Sequence, residues 1–211
     1  MRRTDGLVDS LDEMVNVQIE QRGINAPRTL EAMRVVDRRA FVPRNLFSDA
    51  LQDRPLSIGY GQTISQPYIV ALMTSQLEGL ALGSKILEVG AGSGYQTAIL
   101  VKMGFDVHAI ELEPKLVRRA RRTLHSLDLS PSTLVAGDGR KGLPNHAPFD
   151  GILAAACADN LPSAWKLQAS PNGLLVAPVE SSSGQALCRY DRVRDTWEQT
   201  NLCDVLFVPL R

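Results

Sequence analysis

Apolar residues recur along this chain with two different spacings, and the spacings mark out helices and strands in turn. Leu7, Leu11, Met14, Val15 and Ile19 share one face of a helix over residues 7 to 19, which Arg22-Gly23-Ile24-Asn25 ends. A second helix is predicted from Pro27 through Leu30, Met33, Val35 and Val36, stopping before Pro43. These two make an N-terminal helical layer over residues 1–50. Its Arg38, Arg39 and Arg44 read as a basic cluster on a solvated face. The stretch 53–67 has no such spacing and reads as a loop, and Pro67 then opens a helix carrying Ile69, Val70, Leu72, Met73 and Leu77.

Beyond residue 85 the pattern alternates strand and helix. Ile86, Leu87 and Val89 form a short apolar strand, followed by a helix over Tyr95–Met103 and a strand over Val107–Glu111. Glu113-Pro114 starts a helix through Leu116, Val117, Ala120 and Leu124, whose four arginines, Arg118, Arg119, Arg121 and Arg122, fall on the outer face. Thr133–Ala136 and the nearly all-apolar Phe149–Ala156 are further strands, the second buried on both faces. A helix over Leu161–Ala169 and a strand over Gly173–Ala177 follow. Gln185–Val193 and Cys203–Leu210 read as two long strands joined through the charged turn Arg194-Asp195-Thr196. Five βα units and an antiparallel pair describe one α/β domain over residues 1–211, with 1–50 helical, 51–80 a loop and helix, and 81–211 the core and hairpin.

The connection after the first core strand carries chemistry. Lys85-Ile-Leu-Glu-Val-Gly-Ala-Gly-Ser-Gly94 places Gly90, Gly92 and Gly94 at every second position, as a tight turn that lets a ligand reach the backbone. Strand, glycine turn and helix open a nucleotide-binding βαβ unit. The dinucleotide fingerprint wants a sixth-place glycine, and Tyr95 stands there instead, so the pattern is acidic-x-Gly-x-Gly-x-Gly from Glu88. Glu111 ends the next strand roughly 20 residues on, where a carboxylate can accept both hydroxyls of a ribose. Asp138, in Gly137-Asp138-Gly139 after the third strand, is placed to meet an adenine amino group. In the loop before the core, Ser65 precedes a helix and is suited either to cap it or to touch a ligand.

Composition narrows the classes. The hydrophobic fraction of 44% and charged fraction of 22% are those of an ordinary globular protein. Lys plus Arg and Asp plus Glu both total 23, so the net charge is zero and nothing drives the chain generally towards nucleic acid or an anionic membrane. No apolar run approaches the ~18 residues of a membrane span. Three widely spaced cysteines, Cys157, Cys188 and Cys203, give neither a disulfide framework nor a zinc site, and a reducing, cytoplasmic setting is expected.

Two resemblances follow. Glu88–Gly94 with Glu111 and Asp138 resembles the cofactor site of Rossmann-like S-adenosylmethionine-dependent methyltransferases. The string Asp53-Arg-Pro-Leu-Ser-Ile-Gly-Tyr-Gly-Gln-Thr-Ile-Ser-Gln-Pro67 closely resembles the signature loop of protein-L-isoaspartate O-methyltransferases. Phe41-Val42-Pro43, Pro148-Phe149-Asp150, Gln185 and Phe207-Val208-Pro209-Leu210 fall in that family's order, so the likeness spans about residues 40 to 210. It implies a doubly wound, mostly parallel Rossmann-like sheet with an antiparallel C-terminal pair and added N-terminal helices. It implies methyl transfer from S-adenosyl-L-methionine to the α-carboxylate of L-isoaspartyl residues in damaged proteins or peptides, leaving S-adenosyl-L-homocysteine. Ser65 is then the active-site serine. The expected cofactor-binding residues are Gln62, Thr63 and Ile64 from the loop, Glu88, Gly90, Ala91, Gly92, Ser93 and Gly94 from the glycine turn, and Glu111, Leu112, Asp138 and Gly139 from the next two strand ends. No metal is implied.

Two departures stand out. Glu180-Ser-Ser-Ser-Gly184 lies where the family more often has a glycine, and Ile152-Leu-Ala-Ala-Ala-Cys157 lacks the usual threonine at its strand end. The same residues also suit a carboxyl methyltransferase with a dedicated peptide substrate, or a non-catalytic cofactor-binding relative. The intact Gln62–Pro67 string and Glu111 argue against the latter.

Overall fold

The fold starts from two short helices whose ends are written locally. In this computed structural model, which describes residues 8–182, 184–194 and 196–211, α1 spans Leu11–Gln18. The Ser10 hydroxyl accepts from Glu13 N at 3.1 Å and caps it. The expected start at Leu7 lies outside the described residues. Helix α2 spans Pro27–Val35 with Pro27 at its first turn, and buries Leu30 and Met33. Its C-cap is Val36, so it stops before Pro43 as expected. Two 3₁₀ segments, Arg38–Phe41 and Arg44–Asp49, carry the chain onward.

The stretch expected to be an irregular loop contains a small hairpin. Strands β1 (Leu56–Gly59) and β2 (Gln62–Ile64) pair antiparallel, joined by Tyr60 and Gly61, both with positive φ. Helix α3 (Pro67–Ser75) follows. Next come β3 (Lys85–Val89), α4 (Tyr95–Lys102), β4 (Asp106–Glu111), α5 (Pro114–Ser126) and β5 (Thr133–Ala136). Between β5 and β6 (Phe149–Ala154) lie only 3₁₀ turns, so that expected βα unit lacks its helix. Helix α6 (Ser163–Gln168), β7 (Ala169–Ser181), β8 (Gly184–Val193) and β9 (Thr196–Val205) complete the chain.

The seven-stranded sheet has the order β5-β4-β3-β6-β7-β8-β9. Its first five members run parallel, and β8 and β9 add on antiparallel. Central β3 is buried on both faces through Ile86, Leu87, Glu88 and Val89, which explains its unbroken apolar run. Helix α5 is the amphipathic extreme: Leu116, Val117, Ala120 and Leu124 face the core. Its arginines do more than meet solvent, since Arg119 Nη1 donates to Ile58 O at 3.2 Å and Arg121 Nη2 to Leu134 O at 2.7 Å. Successive strands leave β3 on one side for β4 and β5, then return on its other side as β6. That reversal between β3 and β6 is the switch point outside which open α/β sheets bind ligands.

The last strand departs most from expectation. It begins directly after the turn at Arg194 (φ 56) and ends at Val205, five residues before the expected Leu210. As an edge strand, β9 is mostly exposed over its first six residues, so polar side chains replace the apolar alternation that usually betrays a strand. The apolar residues after it form an extended strap instead.

Candidate active site

At the carboxyl end of β3 the chain turns back over β4. Gly90 N and Ala91 N both donate to Ile110 O, at 2.8 and 3.3 Å. Gly92 (φ +53) lies beneath the β1–β2 hairpin, where a Cβ would come 3.5 Å from Ile58 Cδ1. Its N–H donates to Glu111 Oε2 at 2.8 Å, and the other carboxylate oxygen accepts from Glu113 N at 2.9 Å. Glu111 is thus fixed from both sides and nearly buried, with lone pairs left on each oxygen for a ligand.

The glycine turn, the ends of β3 and β4, the hairpin and the strap together line a cleft. Its lining combines polar residues and exposed backbone, Gly90, Gly92, Ser93 and Gln96, with apolar Val89, Ile110, Leu112 and Leu210. A carboxylate acceptor together with polar and apolar lining suits a nucleoside carrying an amino-acid tail. The donor set therefore fits S-adenosylmethionine on chemistry alone.

A second cleft is lined by Arg22, Pro55, Gln66, Tyr68, Ile69 and the segment from Cys203 to Val208. Thr63, Ser65, Ala155 and Val208 line both clefts, so they form the seam. Ser65 is half-buried, and its hydroxyl has no hydrogen-bond partner among the described residues. It is not the cap of α3: Gln66 occupies the N-cap without a side-chain bond, and Asp53 Oδ1 instead accepts from Tyr68 N at 2.9 Å. The serine's oxygen is left for a ligand.

The protein-L-isoaspartate(D-aspartate) O-methyltransferase family model matches residues 9–211. The chain belongs to this family. It is 50% identical over 200 residues to the protein-L-isoaspartate O-methyltransferase of Methylorubrum extorquens, covering 93% of this chain and 86% of that protein. It is 47% identical over 190 residues to its counterpart in a Roseiflexus species, covering 90% and 87% of the two chains. Among solved structures, a protein-L-isoaspartate O-methyltransferase from Plasmodium falciparum in complex with S-adenosyl-L-homocysteine superposes with a TM-score of 0.83 at 25% identity. It covers 97% of this chain and 99% of that one.

For this family member, most of the residues singled out in the sequence meet at one place. Gln62, Thr63, Ile64, Ser65, Gly90, Ala91, Gly92, Ser93, Glu111, Leu112 and Gly139 all line the cleft at the end of β3. Three expected contacts do not. Glu88 is fully buried behind the turn, where Thr97 Oγ1 donates to its Oε2 at 2.6 Å and burial raises its carboxyl to about 7. Gly94 (φ +88) is the N-cap of α4, and a Cβ there would meet Leu124 Cδ1 at 3.1 Å and Ala120 Cβ at 3.2 Å. It serves helix packing. Asp138 does not line the cleft; its two oxygens accept from Arg140 Nε and Nη2 at 2.9 Å each, and this pairing holds its carboxyl below the usual range.

Other lining residues lie outside the expected contacts. Tyr95 and Gln96 open α4 and read as ordinary helix, yet both reach the cleft. The strap Val208–Arg211 crosses it, clamped by Gln185, whose Oε1 accepts from Phe207 N at 2.6 Å and whose Nε2 donates to Phe207 O at 3.3 Å. Arg38, expected at a solvated face, is fully buried. The missing threonine has its counterpart in space, because Ala155 brings only a methyl group to the seam.

Proposed function

We propose that the chain methylates the α-carboxylate of L-isoaspartyl residues in damaged proteins and peptides, with Ser65 orienting the acceptor. The observation that carries this reading is the unpartnered Ser65 hydroxyl at the seam between the two clefts. When bound, S-adenosylmethionine supplies an electrophilic methyl group on its sulfonium and leaves as S-adenosylhomocysteine. The acceptor carboxylate titrates near ~4 and is ionised at neutral pH, so no general base is needed. Neutral Thr63, Ser65 and Gln66 on the acceptor side suit that chemistry: a strong cation gripping the carboxylate would blunt it as a nucleophile.

Each residue has a definite task in this reading. Glu111 accepts the ribose hydroxyls. Gly90, Gly92 and Ser93 receive the methionine end, and the slot of Ile110, Leu112, Gly139 and Leu210 receives the adenine. The Ser65 hydroxyl donates to one carboxylate oxygen, presents the other in line with the methyl at roughly 3 Å, and the strap keeps water out. The ester product then closes on the following backbone nitrogen with loss of methanol, giving a succinimide that can reopen to aspartate. The three cysteines are free thiols, consistent with a reducing cytoplasm. Among the described residues no helix is long and apolar enough to cross a membrane.

Replacing Ser65 by Ala removes one hydrogen bond to a charged group, ~1.5–3 kcal/mol, and should lower kcat roughly 10- to 100-fold. Affinity for S-adenosylhomocysteine, read by calorimetry, should stay unchanged. Full turnover by the variant would remove Ser65 from the mechanism.

A further inference from the structure

A fully buried arginine calls for an explanation, because an unpaired guanidinium in the interior is strongly destabilising. Arg38 Nη1 donates to Ala50 O, and Nη2 donates to Arg54 O at 3.3 Å and to Ser65 O at 2.9 Å. Burial brings the group down to about 10, so it remains protonated at neutral pH. Its guanidinium carbon lies 6.0 Å from the ring centre of Tyr95, which lines the cofactor cleft. One side chain thus joins the 3₁₀ turn of the N-terminal layer, the segment entering the hairpin, and the carbonyl of the active-site serine.

Asp53 grips the other side of the same turn. Its Oδ1 accepts from Tyr68 N at 2.9 Å, and its Oδ2 from Gln66 Nε2 at 3.2 Å and from Arg22 Nη1 at 2.5 Å. Among the described residues no hydrogen bond restrains the Ser65 hydroxyl itself, so its direction is set by the backbone that these two residues hold. We infer that Arg38 and Asp53 are positioning residues for methyl transfer, fixing the 65–68 turn so that the Ser65 hydroxyl stands at the seam of the clefts. Neither touches the acceptor; both act through Ser65, and the inference rests on the reading of Ser65 given above.

The rival account is that Arg38 only stabilises the fold, and coupling to Ser65 separates the two. Arg38→Lys keeps the charge but replaces a planar fork by a compact ammonium that cannot span the same three carbonyls. Its kcat on an isoaspartyl peptide should fall ~10- to 100-fold, as misplacement of a catalytic group by about 1 Å does. Affinity for S-adenosylhomocysteine should hold within ~3-fold. In a Ser65→Ala background, the same Arg38→Lys change should cost less than ~3-fold, because the group it positions is gone. Asp53→Asn should behave alike with a smaller first loss, and it decides the matter if Arg38→Lys does not fold. Equal losses with and without the Ser65 hydroxyl, or an unchanged kcat, would overturn the inference while leaving the Ser65 reading in place. A Ser65→Ala enzyme with full turnover would overturn both.

Discussion

Glu111→Ala tests the proposed cofactor cleft most sharply, since this carboxylate is the only acidic side chain lining it among the described residues. In the structure each of its oxygens already accepts one backbone N–H, from Gly92 and from Glu113. Those bonds cost the ligand nothing, because they orient the carboxylate before anything binds. Each remaining lone pair can take a ribose hydroxyl, and a hydrogen bond to a charged group contributes ~1.5–3 kcal/mol. Water can enter the truncated site and recover part of this, so the low end applies to both bonds, about 3 kcal/mol in all. The dissociation constant for S-adenosylhomocysteine should therefore rise roughly 100-fold. Calorimetric titration reads it directly, with circular dichroism to show that the variant is folded. Glu113→Ala is the control: it removes the cap that accepts from Lys115 N at 2.9 Å, about 1 kcal/mol of stability, and should leave affinity unchanged. A folded Glu111→Ala protein with affinity within ~3-fold of the parent would refute the ribose assignment and the arithmetic of the bonds behind it.

Two further outcomes follow from residues that the structure moves out of the cleft. Gly94→Ala sets a Cβ against Leu124 and Ala120 in a left-handed conformation, and should cost about 2–4 kcal/mol in urea unfolding; a parent-like midpoint would mean the α4–α5 contact is looser than it looks. Glu88 has its carboxyl raised from 4.5 to about 7, first by burial and secondarily by Glu111, against the opposing Thr97 hydrogen bond. An acid raised on folding binds its proton more tightly when folded, so its stabilisation is full below pH about 4.5 and is lost as pH rises through about 7. The swing is about 3 kcal/mol between pH about 4.5 and 7, and Glu88→Gln should lose that part of the decline; parallel pH curves for parent and variant would contradict it.

What was legible in the sequence is what chemistry forces into a short segment. The glycine turn, Glu111 and the Gln62–Pro67 string each carry their constraint within a few residues, and the structure brings all three to one cleft. What was not legible depends on partners distant in the chain. Arg38 reads as surface because arginine usually is; its burial depends on three carbonyls, at 50, 54 and 65, that converge only once the chain folds. Glu88 and Gly94 belong to the glycine motif by position, but one faces Thr97 and the other Leu124, and spacing alone does not say which way a turn residue points. Asp138 is drawn aside by Arg140, two residues on. Strand β9 was misplaced because an exposed edge needs no apolar alternation, while the apolar residues after it serve the clefts as a strap.

The function proposed for this cleft pair is the passage of a methyl group to an isoaspartyl carboxylate. The direct measurement is radiolabel transfer from S-adenosylmethionine to an isoaspartyl peptide, run beside the same peptide with normal aspartate. Label on the isoaspartyl peptide alone, lost with time as volatile methanol while the succinimide forms, is the predicted result. Label on neither peptide, or equally on both, would contradict it.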